Sequence, residues 1–354
     1  LETKLIRTEK AKIGMVAAGD VYLDDSQMIL SKDTVLTEKT LERLAHYCVE
    51  KIPVYLEEKE EELSYQEKIR KTPEFKEFNK SYDSMVDSLE ISMQGIVYEE
   101  AGIKQEELLA GVDEILEKSR NGLHTLEMMQ CMREYDDLTY AHCVSVSLLC
   151  NTIGSWMGYK GVELREVTLG GLLHDIGKLC IPPELIKKPG KLTDEEYKIV
   201  KNHPVLGYEI LRRANIDPQI SMPALCHHER CDGSGYPFGV SLRRLNEYSR
   251  ITAIADVYDA MTADRVYRKG LCPFEVIAMF EREGFEKYDT SVILPFLSRL
   301  SESYIGSTVL LSDDRRGEII MINPQKLSKP VVRVGDDFID LSKKEDLRVK
   351  EIVR

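Results

Sequence analysis

Two stretches decide how this chain folds: Gly171-Leu-Leu-His174-Asp175-Ile-Gly-Lys178 and, further on, His227-His228-Glu229-Arg-Cys-Asp232-Gly233-Ser-Gly235-Tyr236-Pro237. With His203 between them, they hold four of the chain's seven histidines. A lone histidine is usually a core or surface residue. Four of them, one followed by an aspartate and two adjacent, set between helical stretches, read as ligands of a metal cluster.

Working outward, Thr168-Leu-Gly-Gly-Leu-Leu-His174-Asp175 reads as the end of a helix, with Gly177 as its stop and Pro182-Pro183 as the break. Neighbouring helical residues point about 100° apart, so at a helix end His174 and Asp175 can face one cleft. Thr193-Asp-Glu-Glu196 is a capping box that starts a helix running into His203-Pro204. A residue before proline is disfavoured in α geometry, which places His203 at a junction between helices. His227-His228 is expected at another helix end, ahead of the glycine-rich loop.

Upstream, Thr139-Tyr-Ala-His142-Cys-Val-Ser-Val starts a long helix toward Trp156, with His142 near its first turns. Downstream, Arg250-Ile-Thr-Ala-Ile-Ala-Asp256-Val-Tyr-Asp259-Ala-Met is a strongly apolar helix carrying carboxylates. An aspartate between Ala255 and Val257 is costly to bury unless it is paired, hydrogen-bonded or bound to metal. His142, His174, Asp175, His203, His227, His228 and Asp256 are therefore the candidate metal ligands. One tetrahedral zinc takes about four ligands. A set this large suits two divalent ions bridged by a carboxylate and a hydroxide. Mixed imidazole and carboxylate ligation without thiolate suits Fe or Mn, with Zn, Ni or Mg as alternatives. His46 and His124 lack such neighbours and are read as surface or core.

The 354 residues suffice for a sizeable core and more than one domain. Hydrophobic residues at 43% and charged ones at 31% describe a globular protein. A net charge of −13 argues against DNA or RNA polymers as partners, since their binding depends on neutralising phosphate. No apolar run approaches the roughly 20 residues of a membrane span. The first residues carry no secretory pattern. The eight cysteines form no Cys-x-x-Cys pair and are read as reduced thiols, neither disulfides nor a zinc site. Together these point to the cytoplasm.

The fold class expected is mainly α, with a small N-terminal α+β unit and a small C-terminal β-module. Residues 1–60 show strand-like runs near Met15–Val16, Val21–Leu23 and Met28–Leu30. A helix from Thr37 then puts Leu41 and Leu44 on one face. No reactive group stands out here, and the unit is read as structural or regulatory. Residues 61–125 form a helical connector, with Phe75, Phe78, Tyr82, Met85 and Leu89 at spacings of three and four, a face able to pack against a second subunit as a homodimer. Residues 126–305 are the helical domain that holds the ligand set. Residues 306–354 read as two hairpins, Thr308–Leu311 with Glu318–Ile322 and Pro330–Val334 with Phe338–Leu341.

At the quoted residues the chain resembles the HD-GYP family, a branch of the HD metal-dependent phosphohydrolases. The doublet is His174-Asp175. The longer signature, His-His-Glu-x-x-Asp-Gly-x-Gly-Tyr-Pro, is matched in full by His227–Pro237. Lys188-Pro-Gly-Lys-Leu-Thr-Asp-Glu-Glu, Asn-His203-Pro and Ile-Ala-Asp256-Val-Tyr-Asp-Ala-Met match as well, so the likeness covers residues 125–305. It implies an all-α catalytic domain that hydrolyses cyclic di-GMP to linear pGpG and on to GMP. It also implies a binuclear centre held by His142, His174, Asp175, His203, His227, His228 and Asp256, with Asp175 as the bridge. Catalytic roles fall on Asp175 and Lys178. Substrate contacts fall on Lys178, Tyr236 and the segment Asp264-Arg265-Val-Tyr-Arg268, with Lys178 and Arg265 on phosphate oxygens and Arg268 in support. Some relatives carry a carboxylate one turn before the first histidine, where it supports a third metal. Here that position is Leu138, with Asp136 and Asp137 nearby, so two metals are expected. The Gly235-Tyr236-Pro237 loop and the end modules are the expected contacts for a signalling-protein partner. Two other readings are a hydrolase of another substrate, such as cyclic GMP-AMP or a nucleotide phosphate, and a catalytically silent cyclic-dinucleotide sensor.

Overall fold

The computed structural model describes residues 3–23, 27–55, 65–99, 101–132, 138–188, 190–263 and 269–353, with Gln27 and Leu138 by backbone alone. The chain divides into two compact units, Leu1–Leu63 and Ser64–Arg354.

In the first unit, β1 (Thr3–Arg7) pairs antiparallel with β4 (Lys51–Tyr55), Thr3 opposite Tyr55. Between them lie a hairpin of β2 (Val21–Leu23) and β3 (Gln27–Leu30), and α1 (Glu38–His46). Thr37 and Thr40 close a reciprocal cap on α1, each side chain accepting from the other's backbone N–H. That cap satisfies donors the helix start would leave bare. Leu44 is buried with Ala17, Leu36, Ile52 and Val54 in a core of the unit's own, and Leu41 packs against it. The expected strand at Met15–Val16 is a single bridge, Val16 to Val35. The strands β1 and β4 escaped the sequence reading because their polar residues mask a short apolar pattern.

The second unit is helical up to residue 302. Its helices are α2 (Tyr65–Arg70), α3 (Pro73–Tyr98), α4 (Gln105–Glu117), α5 (Gly122–Gln130), α6 (Leu138–Met157) and α7 (Gly161–Leu173), then α8 (Pro183–Ile186), α9 (Asp194–Val200), α10 (His203–Arg213) and α11 (Pro218–Cys226), and finally α12 (Glu247–Thr262), α13 (Pro273–Met279), α14 (Phe285–Lys287) and α15 (Thr290–Glu302). Pro73 opens α3, and the Thr72 hydroxyl accepts from Phe75 N at 3.2 Å. Phe78, Tyr82, Leu89 and Met93 then recur on one face. That face is buried within the chain against α4, α6 and α7, beside Val112, Ile115, Val144 and Leu172. The apolar stripe expected to meet a second subunit is thus covered by the chain itself.

A five-stranded antiparallel sheet follows, ordered β8-β7-β6-β5-β9, with β5 (Thr308–Leu311), β6 (Arg316–Met321), β7 (Val331–Val334), β8 (Asp337–Asp340) and β9 (Val349–Ile352). The two expected hairpins are present. The sequence reading missed β9, which pairs with β5, Val309 opposite Ile352. Val309, Leu311, Ile319 and Val332 bury into one cluster with Ile254, Phe274 and Phe296 of the helices. No helix among the described residues is long and apolar enough to cross a membrane, and all eight cysteines are free thiols.

Candidate metal centre

Six of the seven expected ligands sit at or near a helix end, and those ends converge on the seventh, Asp256. His142 lies in the first turns of α6. His174 caps the C-terminus of α7, and Asp175 follows it. His203 opens α10, His227 caps the end of α11 with His228 next, and Asp256 projects from the middle of α12. The turn after Asp175, Ile176–Cys180, is a 3-10 helix that crosses α10 closely. A Cβ on Gly177 would stand 2.0 Å from the His203 carbonyl oxygen. Gly177 therefore serves close approach, which brings the Asp175 turn against the start of α10, and not the helix stop read from the sequence.

The ring orientations are fixed from behind. His174 Nδ1 is 2.7 Å from the Gly171 carbonyl, His203 Nδ1 2.7 Å from Val200 O, and His227 Nδ1 2.9 Å from Pro223 O. A carbonyl only accepts, so each Nδ1 carries the proton and each Nε2 turns a lone pair to the centre. Asp175 stands in the middle. Its Oδ1 lies 3.3 Å from His203 Nε2 and 3.6 Å from His227 Nε2. Its Oδ2 lies 3.3 Å from His174 Nε2 and 3.7 Å from His142 Nε2. His142 Nε2 is also 3.0 Å from Asp256 Oδ1, and His228 Nδ1 is 3.8 Å from Asp256 Oδ2. Two trios, His142/His174/Asp175 and His203/His227/His228, each place their ligand atoms within 4.8 Å of one another.

Three features of this geometry fit bound cations. His203 Nε2 and His227 Nε2 face each other at 3.3 Å, two lone pairs with no proton between them. His174 Nε2 and Asp175 Oδ1 are fully buried without a hydrogen-bond partner among the described residues, although buried polar atoms normally have one. Burial also holds His203, His227 and His228 neutral, the state that ligates. It pulls His203 down to about 4 and His228 to about 3, and takes His227 well below the usual range. His142 differs. Burial pulls it down too, but hydrogen bonds to Asp256 and Asp259 outweigh that and raise it to about 9. Burial alone would raise Asp175 and Asp256. Lys178 and His174 instead hold Asp175 well below the carboxylate range, and His142 does the same for Asp256.

Two functional side chains went unrecognised. Asp259 Oδ2 lies 2.7 Å from His142 Nδ1 and aims that ring, a role partners behind metal-bound histidines commonly fill. Its spacing of three from Asp256 on an apolar helix was the available signal. Glu229 is buried and accepts from the backbone N–H groups of Phe238 (2.7 Å), Gly239 (3.1 Å) and Val240 (3.0 Å), tying the glycine-rich loop down. Nothing in its spacing announced that. Within the loop, a Cβ on Gly235 would stand 2.4 Å from Glu229 Cα.

Lys178 Nζ is 2.5 Å from Asp175 Oδ2. The Tyr236 ring stacks on His228 with centroids 4.6 Å apart. Arg265 and Arg268 lie outside the described residues, as do Asp136, Asp137 and the Leu138 side chain. A cavity of about 460 Å³ opens beside the centre, lined among others by His142, Lys178, His228, Arg230 and Asp256.

Residues 118–292 match the HD domain. The chain is 35% identical over 225 residues to the cyclic di-GMP phosphodiesterase PA4108 of Pseudomonas aeruginosa, covering 63% of this chain and 54% of that protein. It is 38% identical over 176 residues to a cyclic di-GMP phosphodiesterase of Thermotoga maritima, 49% of this chain and 48% of that one. It is 35% identical over 166 residues to the 3'3'-cGAMP-specific phosphodiesterase 1 of Vibrio cholerae, 47% of this chain and 38% of that one. The chain thus spans about half or less of the length of these curated relatives. In fold it is similar to Bd1817, an HDG"Y"P protein from Bdellovibrio bacteriovorus, with a TM-score of 0.52 at 16% identity over 84% of this chain and 99% of that one. The doublet and the full His227–Pro237 signature converge on one buried centre inside the matched region, so the chain carries an HD domain and, within it, the signature residues of the HD-GYP type.

Proposed function

We propose that this chain is a metal-dependent phosphodiesterase that opens cyclic di-GMP to linear pGpG, with its activity in residues 126–305. The observation that carries the reading is the Asp175 carboxylate, each of whose oxygens faces a different pair of imidazoles. We assign His142, His174, His203, His227, His228, Asp175 and Asp256 as the residues that would hold two divalent ions, Fe or Mn, with Asp175 as the carboxylate facing both sets of imidazoles. When bound, such ions would neutralise phosphate oxygens and lower the pKa of a bound water toward about 7.

The chain's own residues do the rest. The Gly171, Val200 and Pro223 carbonyls fix three of the rings, and Asp259 fixes His142, so the ligand atoms are in place before substrate arrives. Lys178, partnered by Asp175, keeps its positive charge at the mouth of the cavity, where an anionic diester approaches. Tyr236 covers His228 and closes one side to water. Phe238 stands exposed at the loop tip and offers a signalling protein an apolar contact. Likeness to a cGAMP-specific relative supports cyclic GMP-AMP as a second substrate.

The test is a turnover panel on metal-loaded chain with cyclic di-GMP, cyclic GMP-AMP and a nucleoside triphosphate, products separated by chromatography and metals counted per chain. Cyclic di-GMP turnover with about two metals per chain is expected, both lost in Asp175→Ala. Activity confined to the triphosphate would defeat the reading.

A further inference from the structure

Beside the centre sits a cation with no acidic partner among the described residues. Lys201 caps the C-terminus of α9, two residues before His203. Its Nζ lies 4.6 Å from the centre of the Tyr197 ring and 4.9 Å from that of Tyr236. The two rings meet edge to face with centroids 6.5 Å apart. Tyr236 in turn stacks on His228. The ammonium is therefore one aromatic ring away from a candidate metal ligand.

Among the described residues no carboxylate lies within ion-pair distance of Lys201. Glu196, on the same helix, is engaged by Lys188 Nζ at 2.5 Å and by the Thr193 N–H at 2.7 Å. Lys178, the other lysine at the centre, is already held by Asp175. Contact with two ring faces steadies an ammonium and leaves N–H donors pointing outward. Such a lysine is prepositioned for an anion, because little side-chain freedom remains to be lost on binding.

A cyclic dinucleotide supplies that anion. It carries two phosphodiesters in one small ring, so when one is at the centre the other is held a short, fixed distance away. We propose that Lys201, braced by Tyr197 and Tyr236, is the subsite for the phosphate that is not being cut. It selects substrates carrying a second phosphate over simple diesters. The inference rests on the proposed function and adds to it a residue that sets substrate class.

The experiment compares wild type, Lys201→Met and Lys201→Arg, each metal-loaded, on cyclic di-GMP and on bis(p-nitrophenyl) phosphate, which has a single phosphate. Methionine keeps an unbranched stem on the tyrosine rings and removes the charge. Lys201→Met is expected to raise KM for cyclic di-GMP about tenfold, the loss of one charge-assisted contact. It should change kcat less than twofold and affect bis(p-nitrophenyl) phosphate less than twofold, while Lys201→Arg recovers most of the loss. An unchanged KM overturns the subsite. So does an equal loss on both substrates, which would mean a structural role. If wild type turns over neither compound, calorimetric titration with cyclic di-GMP decides. About tenfold weaker binding by Lys201→Met supports the subsite while the hydrolytic reading fails, equal binding overturns the subsite alone, and no binding by wild type overturns both.

Discussion

Asp259 does for His142 what main-chain carbonyls do for His174, His203 and His227: it holds the rear nitrogen so that the front one faces the centre. A carboxylate is the stronger partner, and together with Asp256 it raises His142 to about 9, whereas burial depresses His203, His227 and His228. Asp259→Asn keeps the shape and removes the charge. The variant is expected to lose about 10- to 100-fold in metal affinity, as partners behind metal-bound histidines generally do when altered. Competition against a chelator measures this, and an unchanged affinity would show that Asp256 alone orients the ring. The doublet His174-Asp175 could be picked out by residue type alone. Asp259 could not, because the same residue at the same spacing can equally cap, pair with a cation or face water.

At the scale of elements, α3 touches the site from outside it. Tyr82 donates to the Ala141 carbonyl at 2.5 Å and lies 2.7 Å from Ser145 Oγ, bracketing His142. Tyr98 donates to Leu179 O at 2.9 Å, one residue past Lys178. The connector therefore fixes the backbone on both sides of the centre. The sequence showed its apolar period but not what it would pack against, since a period reports a face and not the neighbour that covers it. Helix α15 shows how caps tie such elements together. Asp289 accepts from Ser291 N at 2.9 Å and from Arg250 Nη1 of α12 at 3.0 Å. Burial alone would raise this carboxyl, but the Ser291 and Arg250 bonds outweigh it and lower it. A group whose folded pKa lies below its unfolded value of about 3.9 stabilises above that value and loses its contribution as pH falls through the folded one. Asp289→Ala is expected to cost about 1–3 kcal/mol near pH 7. In denaturant titrations the gap from wild type should narrow below about pH 4, and a gap independent of pH would refute the assignment.

For the whole molecule, the C-terminal sheet is not a detachable module. Val309, Leu311, Ile319, Val332 and Val349 share one buried cluster with Ile254 of α12, the helix that carries Asp256 and Asp259. Each such side chain contributes about 1.5–3 kcal/mol by burial, against a total domain stability of about 5–15 kcal/mol. A chain ending at residue 305 is expected to be insoluble or to melt without a cooperative transition. Recovery of a soluble chain with full metal content would show that the helices stand alone.

The sequence by itself determined the candidate ligand set, the helical class and the hairpins. Imidazole and carboxylate chemistry, apolar spacings of three and four and turn residues are local properties written into neighbouring positions. Only the tertiary structure decided that Asp175 stands between two sets of histidines, that Asp259 and Glu229 serve the centre and its loop, that α3 is buried within its own chain, and that β9 completes the sheet. Those facts depend on which apolar faces cover one another. That is settled by the packing of distant segments, and no stretch of sequence states its own partner.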